Sequence, residues 1–182
     1  DLPHVRPAAV TSISAVTGGS GFVGSHLVER LRAEGHEVVA LARSPAARRA
    51  LERLGARVVE GDLDDDGALG RLCGGAELVF HVAGVTKGRT FDDFWRGNVM
   101  PTENLLRALE RQHPEVERFV HVSSLSSYGP STAGRPLKED DPRLPVEHYG
   151  RSKLEAEQAV EAVGDALPWT IVRPSGVYGP GD

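Results

Sequence analysis

Tyr149 and Lys153 lie four positions apart in a stretch that reads as helix, so their side chains share one face. A phenol so placed can exchange a proton with a hydroxyl or carbonyl oxygen. An ordinary phenol titrates near 10, so acting as a base near neutral pH requires its anion to be stabilised by ~3–4 kcal/mol. One ammonium about 6 Å away contributes ~3 kcal/mol at an effective dielectric of about 20. The pair is therefore sufficient for acid–base work. Alone, the Tyr-x-x-x-Lys spacing also describes any exposed helix pair, so its weight comes from the company it keeps.

That company begins with Thr17-Gly18-Gly19-Ser20-Gly21-Phe22-Val23-Gly24, which follows a strand and opens a helix. Gly18 and Gly19 are expected to allow a tight turn. Gly21 would admit a pyrophosphate against the backbone, and Gly24 would let the helix pack close to the sheet. The helix N-terminus would offer free N–H groups and a partial positive charge to the phosphates. A glycine-rich turn without a ligand is the plain alternative, and the strand–turn–helix–strand context argues against it. Residues 18–24 are thus read as cofactor-binding. At the end of the second strand, where NAD sites place an acid for the ribose hydroxyls, stands Leu41-Ala42-Arg43-Ser44. Arg43 can pair with a 2′-phosphate, with Arg48 and Arg49 as helpers, so NADP is favoured over NAD. Arg43 stacking on adenine or facing solvent is the alternative.

Elements that could position these residues alternate along the chain. Strands are expected at 13–17, 37–42, 57–60, 77–83, 118–123 and 169–173. Helices are expected at 22–34, 45–54, 65–72, 91–112 and 147–163, the first two closed by Gly35 and Gly55. The strands are short and apolar throughout, as in a parallel sheet covered on both faces. The fold class is α/β: a doubly wound (Rossmann) parallel sheet with helices on both faces. Residues 1–11 read as a tail and 12–182 as the NAD(P)-binding domain. A proline-bearing stretch at 129–146 reads as a loop; loops of that length are often functional, and an insertion that only covers a sheet edge is the equal alternative.

In these motifs the chain resembles the extended short-chain dehydrogenase/reductase family, of the NAD-dependent epimerase/dehydratase type. Residues 17–27 match its glycine motif. Gly61-Asp62-Leu63 resembles the segment whose Asp contacts adenine, and His81-Val82-Ala83-Gly84 the segment lining the cofactor. Asn98-Val99 through Asn104-Leu105 resembles a family helix, with Pro101 where Gly is usual. Val122-Ser123-Ser124, Tyr149-Gly150-Arg151-Ser152-Lys153 and Arg173-Pro174 through Asp182 complete the set. The resemblance implies a catalytic Ser124, Tyr149 and Lys153, with Lys153 also holding the cofactor ribose. It implies cofactor contacts at Asp62, Leu63, Val82, Ala83, Gly84, Asn98 and Pro174, with Asn98 supporting the site through helix geometry. Ser123 and Ser126 are neighbours that could be confused with Ser124. The family's C-terminal region, which makes most substrate contacts, would begin where this sequence stops, so the domain is expected to be truncated before it.

The implied activity is hydride transfer between nicotinamide and a hydroxyl or keto carbon, first as a sugar-nucleotide epimerase or dehydratase. An NADP-dependent carbonyl or hydroxysteroid reductase is the rival within the same chemistry. A non-catalytic dinucleotide-binding module is the rival from another class, disfavoured by the intact Ser124, Tyr149 and Lys153. A small molecule such as a nucleotide sugar is the expected partner, with a homodimer through the 91–112 and 147–163 helices possible. The 21 basic and 26 acidic residues give a net charge of −5, without the basic excess of a nucleic-acid binder. No apolar run approaches the ~20 residues of a membrane span, and no signal-peptide pattern is present. The single cysteine, Cys73, fits a reducing cytoplasm and reads as a small buried residue. The seven histidines lack metal-ligand spacing, so no metal is expected. His81 and His121, inside apolar strands, read as packing residues.

Overall fold

A computed structural model describes residues 12–112, 115–131 and 134–182. The expected tail, 1–11, lies outside the described residues. Six strands, β1 (Ile13–Thr17), β2 (Glu37–Ala42), β3 (Arg57–Glu60), β4 (Leu78–His81), β5 (Arg118–Val122) and β6 (Trp169–Val172), form one parallel sheet. Their spatial order is β3-β2-β1-β4-β5-β6, so the chain reverses its direction of winding between β1 and β4. In doubly wound sheets ligands bind at that reversal, beyond the carboxyl ends of the strands. Thr17 registers against His81, and His81 against His121, which levels those carboxyl ends with one another.

Alternate residues along the strands feed two cores, as the period of 2 requires. Val16, Val38 and Ala40 pack under α1 (Phe22–Ala33) and α2 (Pro45–Arg53) with Val28, Leu31 and Leu51. Ala15, Val39, Val79 and Phe119 face the opposite side, under α3 (Asp66–Cys73), α5 (Met100–Gln112) and α6 (His148–Glu161). Pro45 sits at the start of α2, where its missing N–H costs nothing, and the Ser44 hydroxyl caps the helix by accepting from the Ala47 N–H at 3.2 Å. Gly35 and Gly55 take φ of 91° and 78° just past α1 and α2, a left-handed stop that favours glycine.

The single helix expected over 91–112 is instead three pieces. A short α4 (Phe91–Phe94), held by a capping box between Thr90 and Asp93, runs into a π-helical turn (Trp95–Val99) and then α5. Pro101 supplies the reason. It has no N–H for the carbonyl four residues back and its ring crowds that carbonyl, so the turn before it widens. The Met100 N–H accordingly reaches back five residues to the Trp95 carbonyl. β4 is also shorter than the expected 77–83, because 82–84 leave the sheet to line its carboxyl edge.

Candidate active site

A crevice of about 740 Å³ opens at the carboxyl edge over the β1/β4 reversal. Every residue expected to bind cofactor or to catalyse lines it except Gly19. The turn falls to Gly18 alone, at φ 71°; a side chain there would strike the Ala83 backbone. Gly19 points away, into Val16, Val28 and Leu51, so the expected shared role for the two glycines is corrected: Gly19 serves the core.

The cradle suits an anion. α1 has Gly21 at its N-cap, no side chain capping it and no acidic residue in its first turn, so its first N–H groups are free of competitors. A Cβ on Gly24 would overlap the Gly18 carbonyl and the Gly19 Cα, so glycine alone allows this close approach of helix and loop. Gly21 has only the Gly18 carbonyl within 4 Å of such a Cβ, leaving its crevice side open. These features fit the diphosphate of a dinucleotide. Asp62 and Leu63 border the crevice past β3, and Val82, Ala83 and Gly84 border it past β4. Arg43 stands exposed at its margin, and no acidic side chain pairs with it among the described residues. Arg48, expected as its helper, is occupied by Glu60 at 2.7 Å and by Glu52 at 3.7 Å.

Tyr149 and Lys153 come from the first two turns of α6 and face the crevice together. Tyr149 packs its ring against Phe94, with centroids 6.0 Å apart, so α4 braces it. Lys153 is only 5% exposed. Its Nζ donates to the Val122 carbonyl at 2.8 Å, which pins the ammonium beside the end of β5. Burial pushes this ammonium down to about 8, against the opposing pull of Glu157. Ser124 caps the short 3-10 turn Leu125–Ser127; its oxygen accepts from the Ser126 N–H at 3.2 Å, which leaves the hydroxyl hydrogen to donate. The two serines that could be mistaken for it are separated from it. Ser123 turns its hydroxyl inward to Glu157, and Ser126 lies outside the crevice.

Asn98 is buried in the π-helical turn. Its Oδ1 accepts from the Val85 N–H at 2.8 Å, and its Nδ2 donates to the Val85 carbonyl at 3.1 Å and the Ser152 hydroxyl at 2.9 Å. It staples the crevice wall after β4 to α6, between Tyr149 and Lys153. His81 bonds through Nδ1 to Thr17 and through Nε2 to Thr102, and burial pushes it down to about 3. Cys73 is buried, its thiol pushed up to about 12, and takes no part. Sequence reasoning missed Glu157, Arg143 and the pairing role of Arg173. The only local signal was spacing, with Glu157 one turn beyond Lys153 as Lys153 is beyond Tyr149. No helix among the described residues is long and apolar enough to cross a membrane, and no group of three His, Cys, Asp or Glu side chains there could hold a metal.

The chain belongs to the NAD dependent epimerase/dehydratase family, whose model matches residues 14–182. It is 36% identical over 174 residues to the 4-hydroxy-2-methyl-3-oxo-4-farnesyl-3,4-dihydroquinoline-1-oxide ketoreductase of Stigmatella aurantiaca, covering 92% of this chain and 51% of that protein. It is 35% identical to the dTDP-6-deoxy-L-talose 4-dehydrogenase (NAD(P)(+)) of Kitasatospora kifunensis, covering 98% and 55%. The UDP-glucuronic acid 4-epimerase of Bacillus cereus, solved in complex with NAD, superposes with a TM-score of 0.80 at 28% identity, covering 93% of this chain and 59% of that one. The chain thus spans about half the length of the curated relatives it matches.

Proposed function

We propose that the protein is an NAD(P)-dependent oxidoreductase-type enzyme acting at a hydroxyl or keto carbon, with a nucleotide sugar as substrate and epimerisation or dehydration as the outcome. One observation carries this reading: the uncapped, glycine-looped start of α1 and the Ser124, Tyr149 and Lys153 side chains meet in a single crevice. The dinucleotide, when bound, supplies the hydride acceptor and donor. Gly18, Gly21 and Gly24 and the free amides after them hold its diphosphate, while Asp62 and Leu63 border the adenine end. Lys153 holds ribose hydroxyls and presents its ammonium to the crevice that Tyr149 also lines. Tyr149 takes or returns the proton at the substrate oxygen, and Ser124 donates a hydrogen bond that aims that oxygen at the phenol. Likeness to the talose dehydrogenase and the glucuronic acid epimerase supports the substrate class.

The test is Tyr149→Phe in the full-length protein. Removing the proton donor is expected to lower kcat at least ~100-fold while dinucleotide affinity stays within about twofold. Unchanged turnover would remove this mechanism.

A second reading, an NADP-dependent carbonyl reductase, is favoured by the unpaired Arg43 and by the ketoreductase relative. The two readings differ in cofactor traffic. An epimerase retains oxidised cofactor through turnover, whereas a reductase consumes reduced cofactor mole for mole. Arg43→Ala is expected to weaken NADP binding ~10–100-fold, the worth of one or two charge-assisted hydrogen bonds, and NAD binding hardly at all. Equal wild-type affinities for the two, unmoved by the substitution, would cancel the preference. We also place the protein in the cytoplasm, as a homodimer through α5 and α6; sedimentation velocity checks the second point.

A further inference from the structure

We propose that Glu157 is a positioning residue: one buried carboxylate that ties the end of β5, the loop around Arg143 and the segment after β6 to α6, and so sets where Ser124 stands relative to Tyr149 and Lys153. Its kinetic consequences rest on the hydride-transfer reading above; its structural ones rest on the contacts alone.

Glu157 is 0% exposed. It lies one turn beyond Lys153 on α6, on the face that also carries Tyr149. Its Oε1 accepts from the Ser123 hydroxyl and from Arg173 Nε at 3.1 Å. Its Oε2 accepts from Arg173 Nη2 at 2.9 Å and from Arg143 Nη1 at 2.8 Å. Each donor belongs to a different segment of the chain. Ser123 immediately precedes Ser124. Arg143 lies in the loop that joins the Ser124 turn to Tyr149, and it is held further by two bonds to Glu161, both at 2.8 Å. Arg173 immediately precedes Pro174 and Ser175, which line the crevice.

A buried carboxylate is a poor device for stability alone, because well-packed apolar side chains of similar volume commonly do as well. Burial by itself pushes this carboxyl up, yet the bonds from Arg173, Ser123 and Arg143 outweigh it and hold the group below the ordinary carboxylate value. Fully satisfied polar networks of this kind specify one arrangement of the parts they join. Here two of those parts run directly into Ser124 and Pro174, which line the crevice.

The charge has a second effect. Lys153 is faced by His81 from β4 and by His121 from β5, with Tyr149 and Glu157 on its own helix. Among the carboxylates and bases of that set, Glu157 is the one that favours the ammonium, opposing its burial. Removing its charge therefore moves the Lys153 titration to lower pH.

The experiment compares Ser123→Ala, Arg143→Ala and Glu157→Gln in the full-length protein, with Tyr149→Phe as the control for chemistry. Amide hydrogen exchange over 125–146 and 173–182 is followed together with kcat, substrate KM, the pH profile and dinucleotide affinity. Arg143→Ala is expected to speed exchange in the loop and to raise substrate KM on the order of tenfold, because loosened positioning groups cost rate and affinity. Ser123→Ala is expected to lower kcat on the order of tenfold with KM little changed. In Ser123→Ala and Arg143→Ala, dinucleotide affinity stays within about twofold, since neither residue belongs to the phosphate loop. Glu157→Gln also shifts the alkaline limb of activity to lower pH, which a purely structural anchor would not do. If Glu157→Gln fails to fold, the two single-arm variants decide the matter. Folded Arg143→Ala and Ser123→Ala proteins with wild-type exchange, kcat and KM would overturn the proposal while leaving hydride transfer intact. If Tyr149→Phe itself leaves turnover unchanged, the chemical reading fails instead, and the exchange data alone uphold or overturn the positioning role.

Discussion

Strands β1 to β3 are packed on both faces, whereas β5 and β6 are packed on one. In the first half, Val38 and Ala40 lie under α1 and α2, while Val39 and Leu41 lie on the other face with Leu69 and Leu72 of α3; all are buried. In the second half, Phe119 and His121 are buried under α5 and α6, but Val120 and Val122 on the reverse face are only half-buried and Val172 is 44% exposed. In the segment before α6, Leu144 and Val146 are barer still, at 70% and 75% exposure. The half that carries the glycine loop is therefore fixed by two-sided apolar packing. The half that carries Ser124, Tyr149 and Lys153 is fixed by one-sided packing plus polar ties: Asn98 to Ser152, Lys153 to Val122, and Glu157 to its donors. Apolar burial is non-directional and makes a rigid cradle; hydrogen bonds are directional and place individual reacting atoms.

The largest effects should separate the halves by stability. Leu51→Ala, in the two-sided half, empties a fully buried site and is expected to cost about 2–5 kcal/mol. Val172→Ala, on the bare face, is expected to cost less than about 0.5 kcal/mol. Urea unfolding of both variants checks this, and equal costs would break the comparison. Next comes Gly24→Ala. The added methyl would overlap the Gly18 carbonyl, so α1 must back away from the phosphate loop. Dinucleotide affinity is expected to fall about 100-fold, or about 2.7 kcal/mol. Fluorescence titration measures it, and retained affinity would mean that the cradle is softer than its packing implies.

The same division governs how much could be read from sequence. β1, β2 and β3 were legible to the residue because apolar runs between glycines leave few alternatives. The placement of the glycine loop, Tyr149 and Lys153 at one crevice was legible because it follows from strand ends and spacings of a few residues. Gly18 and Gly19 could not be told apart, since sequence does not show which of two adjacent glycines takes positive φ and which meets Leu51. The three-piece helix over 91–112 escaped a periodicity reading that followed the apolar pattern through Pro101. Arg48 looked as available as Arg43 until β3 placed Glu60 beside it. Glu157 was illegible for the plainest reason: its donors lie 14, 16 and 34 residues away, and no spacing rule brings those segments together.

A pH series sharpens the comparison with a smaller effect. Lys153, in the polar-tied half, sits at about 8 against its ordinary 10.5. The proposed mechanism requires its ammonium, so kcat/KM is expected to fall above about pH 8, by about tenfold per pH unit once the proton is lost. Stability moves the other way. The folded protein gives up this proton at lower pH than the unfolded chain, so between about 8 and 10.5 the unfolded chain binds more protons and Lys153 contributes increasing stability as pH rises. Activity and thermal melting measured across the same window should therefore diverge. A parallel decline would mean that alkaline inactivation is unfolding rather than loss of the ammonium.

The smallest expected effect lies where the two halves meet. His81 and His121 stand 5.4 Å apart, ring to ring, yet only His81 is satisfied; both ring nitrogens of His121 are buried without a partner among the described residues. Burial lowers both, His81 from 6.5 to about 3, so both are neutral near pH 7. Their contribution is intact above about 6.5 and is lost as pH falls toward 3, where the unfolded chain binds protons that the core refuses. An unpaired buried polar group costs about 1–3 kcal/mol, and overpacking by a larger ring costs about as much, so His121→Phe should leave stability at pH 7 within about 1 kcal/mol. It should also flatten the decline of Tm between pH 6.5 and 3, because one of the two acid-sensitive imidazoles is gone. A loss of several kcal/mol at pH 7 would show instead that the imidazole is bonded in solution, making the floor beneath Lys153 a polar tie like those above it.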